Sequence, residues 1–166
     1  RCHRYIELNP LRAAMVIETE HFTDHVVRAG DGRLETLLTA SYSFLEGPLF
    51  EVYGVPEPPN HDVTNPVQLD VTQRSGLLTQ AGFLAANAND DQSSPILRGA
   101  LVRQNLLCQT LPDPPPDVDD TPPSADPSAT TRERFKLHTS VVGCATCHQL
   151  IDPLGFGLEN YDAIGR

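Results

Sequence analysis

The stretch Cys144-Ala145-Thr146-Cys147-His148 determines how the rest of the chain is interpreted. Two cysteines separated by two residues and followed at once by histidine form the pattern for covalent attachment of haem c. In a helical turn this spacing brings both thiols to one porphyrin edge, and the adjacent imidazole then lies beneath the iron. The pattern predicts thioether bonds at Cys144 and Cys147, with His148 as the proximal iron ligand.

Two other interpretations of the motif compete with haem attachment. A redox dithiol does not require His148, and no βαβ pattern that would carry such a dithiol surrounds the motif. A tetrahedral zinc site needs four ligands, which Cys144, Cys147, Cys108 and either His148 or His138 would supply. Zinc therefore stays open as the alternative metal.

The sixth iron position separates electron transfer from catalysis, because a second histidine or a methionine closes the site. Met15 is the only methionine and lies in a different predicted domain. His138, six residues before Cys144, is a candidate distal ligand. Its other possible role is to interact with the last carbonyls of a helix. A ligand outside this sequence is an equal alternative.

Further polar residues are candidates for supporting the haem. Asp152 and Asp162 are candidates to accept a hydrogen bond from the His148 ring or to join a haem propionate network. Because an aspartate before a proline more often caps a turn, we favour the turn role. Guanidinium groups match carboxylates well. The candidates for pairing with haem propionates, if they are not plain surface residues, are Arg132, Arg134 and Arg166.

The composition restricts the class of protein. The chain has 166 residues, a formal net charge of −10, 39% hydrophobic residues, fifteen prolines and no tryptophan. This charge argues against general affinity for nucleic acids or anionic membranes. No apolar run has the length of a transmembrane helix. Cys2 and Cys108 are left to pair, to stay free or to bond outside this chain, and both ends suggest a piece of a longer protein.

Residues 11–56 are predicted to be helical. Asn9-Pro10 is typical of a helix start, and a stripe of apolar residues then runs as far as Gly30. His21 and His25 lie four residues apart on this helix, and we interpret them as part of a solvated polar face rather than as metal ligands. Gly47-Pro48 divides the leucine-rich stretch that follows into two short helices.

Residues 57–111 are predicted to form the helical part of a second domain, with a helix that starts at Ser94-Pro95 and ends near Cys108. Residues 112–128 hold seven prolines and five aspartates and no basic side chain, which predicts an extended acidic spacer.

Residues 129–166 carry the motif itself. Thr130 and Glu133 have capping-box spacing before a helix over 131–139. The glycines and the proline of 151–162 favour a tight, irregular path after the motif. The fold class predicted for the whole chain is mainly α, with short helices, long proline-rich loops and a C-terminal cytochrome c-like haem segment.

Several segments together resemble the secreted multidomain cytochrome c-like proteins of planctomycetes and myxobacteria. They are Arg74 to Gln80, Ser94 to Gly99, Asn105 to Cys108, Arg132 to His138, Cys144 to His148 and Ile151 to Arg166. Residues 11–55 are similar to the end of the preceding domain in that group. The resemblance implies haem c, a periplasmic or cell-surface location, and a redox partner protein or neighbouring domain. It names no substrate.

The expected function is therefore part of an exported c-type cytochrome that transfers electrons within a larger oxidoreductase assembly. The alternative is a cell-surface structural or binding module with zinc at the CxxCH motif. Residues 5–16 also resemble a motif of repeat-associated tyrosine transposases, but the metal-binding histidine motif of those enzymes is absent. Residues 1–10 are accordingly read as a possible unrelated junction.

Overall fold

The computed structural model describes residues 9–112, 121–126, 128–139 and 142–166, without the side chains at 137–139, 142–144 and 146. The prediction of a mainly α fold is confirmed. The chain divides into two compact units, 1–86 with 164–166, and 87–163. The predicted junction at 1–10 and spacer at 112–128 lie mostly outside the described residues, and the domain boundaries derived from the sequence stay predictions.

The first unit consists of short helices and one small sheet. Helix α1 spans Pro10–Asp24 and continues as a π-helical turn over His25–Ala29, and it is followed by α2 (Leu34–Thr39), β1 (Tyr42–Ser43), α3 (Leu49–Tyr53), β2 (Val67–Gln68), a 3-10 turn (Leu77–Thr79) and α4 (Ala81–Ala86). The two strands pair antiparallel, with Tyr42 opposite Gln68 and Ser43 opposite Val67.

Helix α1 starts where the sequence predicts. The Asn9 side chain accepts a hydrogen bond from the Arg12 backbone N–H at 3.2 Å, and Pro10 occupies the first helical position. Met15 of α1 then packs into an apolar core with Leu45 and Leu49, which are fully buried. Burial of this stripe, rather than helix propensity, stabilises the helix.

His21 and His25 differ from the expected solvated face. Both side chains are half-buried, and their rings lie 6.0 and 5.2 Å from the ring of Phe44. The imidazoles therefore cover an aromatic cluster at the end of α1. Among the described side chains no group of three potential metal ligands forms.

The second unit contains α5 (Pro95–Leu101), which continues as a π-helical turn over Val102–Leu106, then α6 (Thr131–Thr139) and α7 (Val142–Phe156). Ser94 caps α5 by accepting from the Leu97 N–H at 3.3 Å. The capping box of α6 is present, since Glu133 accepts from the Thr130 N–H at 2.8 Å and donates its own N–H to the Thr130 hydroxyl at 3.2 Å.

Helix α7 contradicts the prediction of an irregular path for residues 151–156, whereas residues 157–160 form turns in line with it. The helix runs to Phe156 and includes Pro153, although proline lacks the N–H that bonds to the carbonyl four residues earlier. Close packing on α5 explains why the helix continues: a Cβ on Gly155 would overlap the Pro95 carbonyl oxygen, and a Cβ on Gly99 would overlap that of Ile151. Only glycine permits this approach of the two backbones.

Candidate functional site

The CxxCH motif lies on α7, near the N-terminal end of that helix. Backbone positions 144, 147 and 148 therefore fall within little more than one helical turn. The Cys147 side chain is half-buried and its thiol is free. The side chain of Cys144 lies outside the described part of the chain. The helical backbone is the geometry that the sequence argument for haem attachment requires.

The imidazole of His148 is held by a carboxylate on the same helix. Its Nδ1 lies 3.0 Å from Oδ1 of Asp152, and the two side chains are only 12% and 17% exposed. With Nδ1 directed at Asp152, the ring would coordinate a metal through Nε2. Asp152 lies inside α7 and does not cap a turn, so the favoured turn role is wrong and the histidine-binding role is the one observed.

A buried arginine joins α5 to the chain that follows α7. Arg98 is fully buried, and its guanidinium donates to the carbonyl oxygens of Leu158, Tyr161 and Asp162 at 3.0, 3.1 and 2.6 Å. The same group forms an ion pair with Glu159 at 3.1 Å. The guanidinium thus fixes residues 158–162 directly downstream of the helix that carries the motif.

Glu159 completes this buried pair. Its side chain is 7% exposed, and its second carboxylate oxygen accepts from the Ser93 hydroxyl at 2.6 Å. Burial lowers the pKa of Arg98, and the adjacent Glu159 opposes that shift. The pairing of Arg98 with Glu159 is not among the predictions made from the sequence. The signal for it is an arginine placed within the apolar run of α5, since charged side chains are rarely buried without a partner.

The three arginines predicted to pair with propionates lie in different surroundings, and that pairing stays a prediction. Arg132 lies over the Phe156 ring, at 4.7 Å from its centre. Arg134 donates to the carbonyls of Asp126 and Ala129 and to the side chains of Gln92 and Thr131. Arg166 is an exposed residue of the first unit. Arg103, which the sequence argument did not select, donates to the Leu150 carbonyl at 2.9 Å and so contacts α7 two residues after His148.

The remaining candidates are less completely described. His138 lies in α6, but its side chain falls outside the described residues, so distal ligation stays a prediction. Asp162 lies against Arg98 through its backbone oxygen. Cys108 is exposed and has a free thiol, and its φ of +53° is unusual for a residue other than glycine.

The donors on α7 fit haem c as far as they are described. Haem c attachment uses free cysteine thiols, and a ligating histidine usually has its second nitrogen oriented by a hydrogen bond. Cys147 and the His148–Asp152 pair match this description. Cys147 would hold the haem through a thioether, and His148 would hold it through Nε2.

Two family models match the chain. PSCyt3, described as a protein of unknown function (DUF1588), matches residues 74–166. PSD4, described as a protein of unknown function (DUF1592), matches residues 3–55. Both are planctomycete-type cytochrome c-like domains, so the resemblance to planctomycete proteins is confirmed at that level.

Neither the transposase resemblance nor a membrane span in the described part of the chain is supported, and two further comparisons found no match. The PSD4 match includes residues 5–16, and no match supports the transposase resemblance at those residues. No curated protein and no solved structure matches the chain. Within the described residues, every helix is too short or too polar to cross a membrane.

Proposed function

Since the chain belongs to the PSCyt3 family over residues 74–166, we propose that it is part of an exported c-type cytochrome with haem bound covalently at Cys144 and Cys147. The observation that supports this most directly is the oriented His148, whose Nδ1 lies 3.0 Å from Asp152 on the same helix as both cysteines. Zinc-binding histidines use the same kind of support. The membership of a cytochrome c-like family favours haem over zinc.

The haem would supply reversible one-electron transfer, and residues of this chain would position the haem. Cys144 and Cys147 would fix the porphyrin edge, and His148 would supply the proximal nitrogen. Helix α7 is itself held by close packing on α5 at Gly99 and Gly155. A rigid proximal side limits the rearrangement that accompanies a change of charge at the iron. The proposed role is electron transfer to a partner protein or a neighbouring domain.

Haem attachment to a CxxCH motif takes place on the oxidising side of the bacterial membrane, so we place the protein in the periplasm or at the cell surface. The test is expression in a periplasm that has a cytochrome maturation system. The expected protein keeps a Soret band after acid–acetone extraction and shows one added haem mass. A colourless protein with stoichiometric zinc would support the alternative zinc module instead.

Three cysteine variants sharpen this test. Cys144→Ala and Cys147→Ala are each expected to lose one thioether bond, which shifts the α-band of the pyridine haemochrome and lowers the yield. Cys108→Ala removes an exposed thiol outside the motif and is expected to leave the α-band and the haem content unchanged. Equal loss of haem in all three variants would contradict assignment to the motif.

His138 is the proposed sixth ligand. If it binds iron, the oxidised protein is low-spin, and His138→Ala opens the position to cyanide and carbon monoxide. A high-spin spectrum in the unaltered chain would contradict the assignment. It would also favour small-molecule chemistry at an open haem.

A further inference from the structure

The contact between His148 and Asp152 links the proximal histidine to a negative charge. The Nδ1–Oδ1 distance of 3.0 Å is that of a hydrogen bond, and both side chains are more than four-fifths buried. A charged acceptor forms a stronger hydrogen bond than a neutral carbonyl does. Limited access of water reduces the screening of this interaction.

Contacts of α7 with α5 on either side of Asp152 along the helix fix the position of this residue. Ile151 is buried and its carbonyl oxygen faces Gly99 of α5, while Gly155 packs against Pro95. Asp152 lies between these two contacts and one helical turn after His148. Backbone packing therefore fixes the position on α7 from which the carboxylate reaches His148.

We infer that Asp152 is a positioning residue that lowers the reduction potential of the proposed haem. This inference rests on the proposed function. By accepting the Nδ1 proton in a hydrogen bond, Asp152 increases the basicity of Nε2. A more basic ligand stabilises the ferric form relative to the ferrous form, because the ferric iron carries the larger positive charge. The carboxylate would thus act on the iron through His148.

The sign of the effect follows from the charge. Replacing Asp152 by asparagine keeps an oxygen acceptor of nearly the same shape and removes the negative charge. The ferric form then loses stabilisation, and the potential rises. Mutation of a residue that orients a metal ligand typically changes metal affinity or activity by about ten- to a hundredfold. We take about tenfold in the equilibrium constant for reduction, which corresponds to about 59 mV for a one-electron couple.

The test compares Asp152→Asn with Asp91→Asn in the matured protein. Asp91 is an exposed residue of the same unit, so its variant controls for the loss of one negative charge. Haem content is measured as the pyridine haemochrome, and the midpoint potential is measured by spectroelectrochemical titration. Both variants are expected to keep full haem content. The equilibrium constant for reduction is expected to rise about tenfold in Asp152→Asn and to change less than twofold in Asp91→Asn.

The outcomes distinguish the inference from the function on which it rests. Covalent haem with equal potentials in the two variants would overturn the role of Asp152 and leave the cytochrome assignment intact. Absence of covalent haem in the unaltered protein would overturn both.

A second measurement needs no variant and applies if Asp152→Asn fails to load haem. In the diamagnetic ferrous protein, with carbon monoxide added where the sixth position is open, nitrogen-15 NMR reports the His148 Nδ1–H. A downfield proton that exchanges slowly with solvent is expected. A proton in rapid exchange would overturn the inference.

Discussion

The two units bury a glutamate in opposite ways. In the first unit, Glu18 is fully buried and accepts hydrogen bonds from the hydroxyl groups of Ser43, at 2.6 Å, and Tyr53. In the second unit, Glu159 is buried against the guanidinium of Arg98. One carboxyl group thus has neutral partners nearest to it, and the other has a cation.

The difference shows that burial alone does not determine the charge of a carboxyl group. Desolvation raises the pKa of Glu18 from 4.5 to about 7, against the opposing effects of its two hydroxyl donors and Arg74. Its Oε2 has no hydrogen-bond partner among the described residues, so no described donor stabilises a negative charge on that oxygen. The Glu159 carboxylate instead has a direct cationic partner. An ion pair therefore stabilises the buried Glu159, whereas burial favours the protonated form of Glu18.

The largest expected effect comes from breaking the ion pair. Arg98→Ala leaves the Glu159 carboxylate buried without its cation and removes the donor to the carbonyls of 158, 161 and 162. Loss of one partner of a buried pair costs about 3–5 kcal/mol. Urea unfolding followed by circular dichroism measures the change in free energy of unfolding.

The matched control is Arg28→Ala. Arg28 and Asp24 form an ion pair whose side chains are 79% and 58% exposed, so no measurable change is expected. The double variant Arg98→Met with Glu159→Gln removes both charges and should recover part of the loss. Equal effects of Arg98→Ala and Arg28→Ala would contradict the contrast drawn between buried and exposed pairs.

The next effect concerns Glu18 and is dependent on pH. Because the pKa of Glu18 is higher in the folded state than in the unfolded state, protonation of Glu18 at low pH stabilises the folded state. The free energy of unfolding then falls as pH rises from about 4.5 to about 7 and levels off above that, for a total of about 3 kcal/mol. Glu18→Gln keeps an acceptor for Ser43 and Tyr53 and should remove this decline.

Urea unfolding at pH 5, 6, 7 and 8 checks the prediction, with Glu20→Gln as the control. Glu20 is an exposed residue of the same helix, and its variant should keep the full decline of the unaltered chain. The difference between Glu18→Gln and the unaltered protein cancels the contributions of the histidines. Parallel pH profiles for these two proteins would show that Glu18 is charged in the folded state.

The smallest of the three effects tests the helix contact of the second unit. A methyl group on Gly155 would overlap the Pro95 carbonyl oxygen, so Gly155→Ala should cost about 1–3 kcal/mol by separating α5 from α7. Gly157→Ala is the control, because its Cβ would approach the nearest atom, the Leu154 carbonyl oxygen, only to 3.3 Å. Thermal unfolding of the two variants compares them. A Gly157 variant that is less stable than the Gly155 variant would contradict the close crossing.

Local patterns in the sequence predicted the helix starts well. Asn9, Ser94 and Thr130 all cap helices as expected, because a cap depends on residues only three positions apart. The CxxCH motif is also local, and its place on a helix follows from its spacing. What these patterns share is that the interacting groups are close neighbours along the chain.

Contacts between distant residues could not be predicted in this way. Arg98 and Glu159 are 61 positions apart, and Glu18 and Ser43 are 25 apart. The continuation of α7 through Pro153 has the same origin, since packing on α5 overrides the local preference of proline. The sequence left open whether Asp152 bonds to His148 or caps a turn, and the helix that extends to Asp152 favours the bond to His148.

The buried pair has a consequence for the length of the intervening chain. Arg98 and Glu159 close a loop of the polypeptide, and the entropy cost of closing a loop grows by only about 0.6 kcal/mol for each doubling of its length. Insertions between α5 and α6 should therefore be tolerated.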